Sequence, residues 1–368
     1  LYSAPDRTEI GGNHTDHNNG VVIAAAVNLD IIAVVAKNDE NVVRVISHGF
    51  GKIDDVNLRD LTPQPVEAEH SASLIRGGAA GIVKDGGKVG GFDCYTTSDV
   101  LGGSGLSSSA AFEVCMGAIF RGEYNDNDMK RFDQVKNAMI SQYAENVFFG
   151  KPCGLMDQMA SSVGGLVYID FADPKNPIVE KVDYDFAHSG YTLCTIDSGA
   201  DHADLTDEYA AMPVEMKAVA AFFGKEVLHD VDEAAFYRHI AEVRKVTGDR
   251  AVLRAIHFFN ETRRVKSQVR ALKDGDFEAF LHLVNASGMA SWTLLQNVTP
   301  AGYIQKQDMA FTIALCQQLL EGEGAVRIHG GGFAGTALAF VPDDRFARFK
   351  TCVEHVLGEG HCHKLTIQ

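Results

Sequence analysis

The sequence predicts an α+β fold built as two domains. Three observations lead there. Strand-like and helix-like runs fall in separate blocks instead of alternating regularly. Residues 204–320 carry mostly helical patterning, with strand-like runs before and after them. The 368 residues exceed what one hydrophobic core usually supports.

The elements follow in order. Residues 4–20 are densely polar and stand directly before an apolar run, 21–36, that reads as a strand. Asn38-Asp39-Glu40-Asn41 marks a turn, and 42–46 alternates beyond it, so these two runs are expected to pair as a hairpin. Residues 67–83 are Ala-rich and read as a helix. Gly86-Gly87 and Gly90-Gly91 punctuate the approach to a strand at 92–97. A Gly/Ser-rich loop at 102–109 leads into helix-like 110–120. From about Asp128, Phe132, Val135, Met139, Tyr143 and Val147 keep an i, i+3, i+4 rhythm that Gly150-Lys151-Pro152 ends. Strands are expected at 166–171, 178–182 and 191–196. The helical block follows, then strands at 325–329 and 336–341 around a glycine cluster, and a helix near 344–357.

Composition narrows the function. With 33 Lys+Arg against 49 Asp+Glu, the net charge is −16. So acidic a chain is a poor binder of nucleic acid or anionic membranes. An anionic ligand must be held by local amides, a few cations or a metal. No apolar run reaches 18 residues, and the start, Leu-Tyr-Ser-Ala-Pro, has no basic leader region. Seven scattered cysteines without a C-x-x-C pair fit free thiols in a reducing cytoplasm. His361-Cys362-His363 has no second ligand cluster to complete a metal site. Glycine is in excess: 36 residues, about 10% against a typical ~7%.

Those glycines gather in clusters that can carry chemistry. In Ala4-Pro5-Asp6-Arg7-Thr8-Glu9-Ile10-Gly11-Gly12-Asn13-His14-Thr15-Asp16-His17-Asn18-Asn19-Gly20, carboxylates and amides stand close together, as suits vicinal hydroxyls. A solvated loop is the plainer reading. Leu101-Gly102-Gly103-Ser104-Gly105-Leu106-Ser107-Ser108-Ser109 runs from a strand into a helix start, where free amides and the helix dipole cradle phosphate. One of its hydroxyls can ligate Mg²⁺. No Lys follows, so it is not a Walker A loop. Gly330, Gly332 and Gly335 formally match G-x-G-x-x-G, but the strand pattern after them argues against a dinucleotide fingerprint. Asp157 stands at the start of a short helix, where the dipole favours its ionised form.

In this order and at these spacings the clusters resemble the GHMP kinase superfamily and, within it, the galactokinases. Residues 4–20 are similar to the sugar signature, 102–111 to the phosphate loop and 328–336 to the C-terminal glycine motif. Gly154-Leu155-Met156-Asp157-Gln158 is similar to the catalytic-Asp element. Asp197-Ser198-Gly199 followed by Asp207-Glu208-Tyr209 resembles a stretch whose Tyr contacts the sugar. The resemblance covers nearly the whole chain.

The resemblance implies an ATP- and Mg²⁺-dependent kinase making α-galactose 1-phosphate. Its active site would lie in the cleft between a domain of residues 1–165, completed by 358–368, and a second of 166–357. It implies catalytic Asp157 beside the sugar C1 hydroxyl, as base or electrostatic anchor, and Arg7 beside Asp157 and the transferring phosphoryl group. Asn13, His14, Asp16, Gly154 and Tyr209 would hold the sugar, with Asn13 facing O6. Gly102, Gly103, Ser104, Gly105, Leu106, Ser107 and Ser108 would wrap the phosphates, and Ser108 and Glu145 would hold the metal. A cytoplasmic monomer or weak dimer is expected, with no nucleic-acid or membrane partner. The chain departs from the family pattern at Asn13 (usually Glu), Asp6 and Ala334 (usually Gly) and Val100 (often Pro). Asn13 keeps a kinase for N-acetylgalactosamine or arabinose in view, and a non-catalytic sugar sensor is the rival from another class.

Overall fold

The computed structural model describes residues 1–49, 51–98, 108–151, 153–200 and 205–368, with the side chain of Ser108 outside that set. Among the described residues, eight strands form a first sheet: β1 (Tyr2–Gly11), β2 (Val21–Lys37), β3 (Val42–Ser47), β4 (Gly51–Lys52), β5 (Val56–Asn57), β6 (Phe92–Ser98), β7 (Leu166–Asp170) and β8 (Ile178–Lys181). Four more, β9 (Tyr191–Asp197), β10 (Ala325–Ile328), β11 (Thr336–Pro342) and β12 (Cys362–Leu365), form a second sheet in the order β10-β11-β9-β12. The helices are α1 (Ser71–Lys84), α2 (Ser108–Tyr124), α3 (Gln134–Tyr143), α4 (Met156–Val163), α5 (Thr206–Phe222), α6 (Glu233–Arg238), α7 (Ile240–Thr247), α8 (Asp249–Lys273), α9 (Phe277–Ala290), α10 (Asp308–Leu320) and α11 (Phe346–Leu357). Among the described residues no helix is long and apolar enough to cross a membrane.

β2 is the spine of the first sheet. Residues 21–27 are buried without a break because partners flank them: β1 along residues 23–33 and β7 along 21–25. The expected hairpin does not form. β6 lies between β2 and β3, antiparallel to the first and parallel to the second. The turn at 38–41 binds the incoming β6 instead of closing on itself: Asn38 N donates to Gly91 O at 3.0 Å. A Cβ at Gly91 would fall 2.2 Å from the Asn38 side-chain oxygen, so only glycine lets β6 slide in there.

The two sheets part company between Lys181 and Tyr191, later than the expected boundary at 165. β12 pairs with β9 in the second sheet, and only residues 366–368 return to the first, through Asn28 N to Thr366 O and Gln368 N to Ala26 O, both 3.0 Å. The helix expected from 128 starts at Gln134. Its Asp133 cap accepts from Lys136 N at 2.7 Å, and a π-helical turn over 144–149 continues it.

β1 is the element that sequence patterning missed. Asp6, Arg7, Thr8 and Glu9 are all buried within it, although Asp and Glu are depleted in strands. Pairing with β2 supplies the backbone bonds, and the Arg7, Thr8 and Glu9 side chains each meet a polar partner from a distant segment, while Asp6 Oδ1 accepts from the neighbouring Arg7 N. Residues 12–20 alone form the turn between β1 and β2.

Candidate active site

β1 and α4 bring together residues 150 positions apart. Arg7 Nε donates to Asp157 Oδ1 at 2.7 Å and Nη2 to Oδ2 at 2.9 Å, a two-pronged fork. Arg7 is 5% exposed. The Asp157 side chain keeps 29% of its surface open, so a ligand can reach the carboxylate but not displace the guanidinium easily. Asp157 sits in the first turn of α4, where the helix dipole adds to the same charge preference. Burial alone would lower the Arg7 pKa; the Asp157 and Asp6 carboxylates outweigh it and hold the cation firmly protonated.

Three residues before Asp157, Gly154 packs on the β1–β2 turn. A Cβ at Gly154 would lie 1.8 Å from Asp16 Oδ2, so the Asp16 carboxylate occupies the space a side chain would need. The same turn meets the glycine motif between β10 and β11 through three successive carbonyls. Asn13 Nδ2 donates to Gly330 O (2.7 Å), His14 Nε2 to Gly331 O (2.9 Å) and Tyr209 Oη, from α5, to Gly332 O (2.7 Å). Burial drives the His14 pKa down to about 3, so the ring is neutral at pH 7. A carbonyl can only accept, which puts the proton on Nε2 and leaves Nδ1 as an acceptor. The carbonyls of residues 330–332 are therefore a docking turn for the Asn13, His14 and Tyr209 side chains.

Asn13 is placed otherwise than expected. Its side chain is fully buried and engaged at both ends: Nδ2 with Glu9 (3.0 Å) and Gly330, Oδ1 with Asn297 (2.8 Å) and Ser291 (3.3 Å). It faces a protein network and not an open ligand surface. The reason is Glu9, whose carboxylate attracts the amide inward and is itself paired with buried Arg327 of β10.

Beside Asp157, Gln158 joins two carboxylates. Its Nε2 donates to Glu145 Oε2 at 2.7 Å and to Glu113 Oε2 at 3.1 Å. Glu145 reaches this point from the π-helical turn, and Lys151 Nζ lies 3.6 Å from its other oxygen. Glu113, on α2, is the residue sequence reasoning missed. Its signal was a lone carboxylate inside an apolar helix, five positions after Ser108. Burial first, then the charge of Glu145, pushes its pKa up to about 9, and Glu113 Oε1 is buried with no hydrogen-bond partner. The pH consequence follows from linkage. Between about pH 5 and 9 the folded chain keeps a proton that the unfolded chain releases, so stability falls as pH rises through that window. Glu113→Gln is expected to flatten the pH dependence of the urea midpoint between pH 5 and 8 in chelator; an unchanged slope would contradict this assignment.

Gly102, Gly103, Ser104, Gly105, Leu106 and Ser107 lie outside the described residues, as does the Ser108 side chain, although Ser108 itself opens α2. Among the described residues no group of three or more His, Cys, Asp or Glu side chains forms a metal cage.

The family description GHMP kinases N terminal domain matches residues 73–165, and the galactokinase galactose-binding signature matches 1–37. The chain is 31% identical over 353 residues to a galactokinase of Actinobacillus pleuropneumoniae, covering 95% of this chain and 87% of that protein. It is 30% identical over 343 residues to a galactokinase of Glaesserella parasuis, covering 93% and 85%. Among solved structures, Lactococcus lactis galactokinase complexed with galactose superposes with a TM-score of 0.81 at 21% identity, over all of this chain and 92% of that one. L. major mevalonate kinase superposes at 0.66 with 14% identity, over 100% and 95%.

Proposed function

The chain belongs to the galactokinase family of GHMP kinases, and from that premise we propose how its site carries out ATP-dependent phosphorylation of the anomeric hydroxyl of D-galactose. The observation that carries the reading is the Arg7–Asp157 fork, set one helical turn from the Gly154–Asp16 contact. The sugar C1 oxygen attacks the γ-phosphorus, the bond to the ADP oxygen breaks, and the hydroxyl proton leaves late. Asp157 orients that hydroxyl and receives its proton. A carboxylate held by a guanidinium is a weak base, so positioning and charge dominate, as a loose phosphoryl-transfer transition state allows. Arg7 offsets charge on the transferring group.

His14, Asp16, Gly154 and Tyr209 hold the sugar in this reading. His14 Nδ1 accepts from a sugar hydroxyl, and Asp16 accepts from two neighbouring hydroxyls. By the family resemblance, residues 102–108 would hold the β- and γ-phosphates. Mg²⁺ would supply phosphate charge neutralisation when bound, and Glu145 with Ser108 would hold it. The buried, unpartnered Glu113 Oε1 and the crowding of two carboxylates on one amide fit a hard cation at this place. An acidic protein needs that local compensation, because its overall field repels ATP. The retained Arg7, Asp157 and Glu145 do not favour a non-catalytic sensor.

Galactose-dependent release of ADP, measured by a coupled assay across a sugar panel, tests the reading. Turnover is expected with galactose and its loss in Asp157→Ala; binding of both ligands without turnover in the wild type would overturn it. Gly154→Ala is expected to raise the KM for galactose at least ~10-fold, because the new methyl displaces the Asp16 carboxylate by more than a hydrogen bond tolerates. An unchanged KM would remove Asp16 from the sugar site.

A further inference from the structure

α8 carries a face that packing alone does not explain. Arg254, His257, Glu261 and Gln268 are each fully buried, at positions 0, 3, 7 and 14 of one helical stripe. Apolar side chains of similar volume would fill such a stripe at least as stably. Three of the four meet three successive residues of the β1–β2 junction, running antiparallel to it. Gln268 lies against Gly11, where a Cβ would fall 2.2 Å from its Oε1. Glu261 Oε1 accepts from Gly12 N at 3.2 Å. His257 Nε2 donates to Asn13 O at 2.9 Å. Phe258 lies under Gly20, which closes the turn.

These contacts bracket a strained residue. His14 has a φ of 57°, in the left-handed region that non-glycine residues rarely adopt. Such a conformation persists only where its surroundings over-determine it. Here the peptide before His14 is pinned by His257, and the His14 ring is pinned by Gly331 O. Glu261 is itself held by Ser287 Oγ at 2.5 Å and by Arg264. Burial would push Glu261 towards its neutral form, but the Arg264 and Arg327 guanidinium groups and the Ser287 hydroxyl favour the carboxylate and hold its pKa below the usual value; burial lowers the His257 pKa.

We propose that His257 and Glu261 are positioning residues for sugar recognition, fixing the backbone at Gly12 and Asn13 so that His14 and Asp16 face the substrate. The proposal rests on the reading that His14 and Asp16 bind galactose. Both α8 residues hold the backbone of the β1–β2 turn, so their influence is expected to fall on the sugar and not on ATP.

The test compares two amides at one position. Glutamine places an N–H where His Nε2 stands; asparagine places it where Nδ1 stands, too short to reach Asn13 O. His257→Gln is expected to keep the galactose KM within about threefold of wild type. His257→Asn is expected to raise it at least about tenfold, as for one lost buried hydrogen bond, with the ATP KM unchanged within about twofold. Glu261→Asp, which withdraws the carboxylate from Gly12 N, is expected to give the same selective rise and decides the matter if His257→Asn does not fold. Equal galactose KM values in the Gln and Asn variants, or parallel shifts in both KM values, would overturn the inference while the functional reading stood. Absence of wild-type turnover with galactose would overturn that reading and this inference with it.

Discussion

Arg7→Ala is expected to lower kcat at least ~10²-fold with little change in the KM for ATP, as for loss of one preorganised charge at a phosphoryl-transfer centre. Two effects act together. The transferring group loses a cation that is already oriented, and Asp157 loses both donors that fix its plane. Arg7→Lys is not expected to restore the rate, because an ammonium cannot make the parallel two-bond fork. The measurement is coupled ADP release at saturating galactose and ATP. A kcat within threefold of wild type in Arg7→Ala would remove Arg7 from the catalytic machinery.

The second large effect is on stability. Glu9 and Arg327 form an ion pair in which both side chains are buried, joining the first sheet to the second. Glu9→Gln leaves the Arg327 guanidinium without its carboxylate, and breaking a buried pair on one side typically costs about 3–5 kcal/mol. Arg327 Nε and Nη1 already lack hydrogen-bond partners among the described residues, so no second acceptor compensates. Glu9→Gln with Arg327→Met should recover much of the loss, since a neutral pair of similar volume removes the stranded charge. Urea unfolding of the two single variants and the double variant completes the cycle. A single-variant loss below about 1 kcal/mol would mean that the pair is not a principal tie between the sheets. Asn13, whose amide rests on Glu9, makes this pair a support of the β1–β2 turn as well.

The difference between what patterning reaches and what it misses is visible in particular elements. Apolar periodicity found β2, β6, β7, β9 and β11 because their residues bury themselves by their own chemistry. It missed β1, because Arg7, Thr8 and Glu9 are buried by virtue of partners at 157, 329 and 327. It paired β2 with β3 because the turn at 38–41 is local, whereas β6, the strand that separates them, arrives from residue 92. Glu113 escaped notice for the same reason, since it is ordinary until Gln158 stands beside it.

By itself the sequence determined the chemistry available: the motif order, the fork partners Arg7 and Asp157, the family, and the acidic field that makes local amides and cations necessary for ATP. Tertiary structure alone decided direction. It turned Asn13 inward onto Glu9, fitted Asp16 against Gly154, and brought the carbonyls of 330–332 to the sugar signature. It also laid the polar face of α8 behind the β1–β2 turn. The physical reason is that a polar side chain carries no address. Where it points is set by which partner satisfies it once buried, and most of those partners lie more than 100 residues away along the chain.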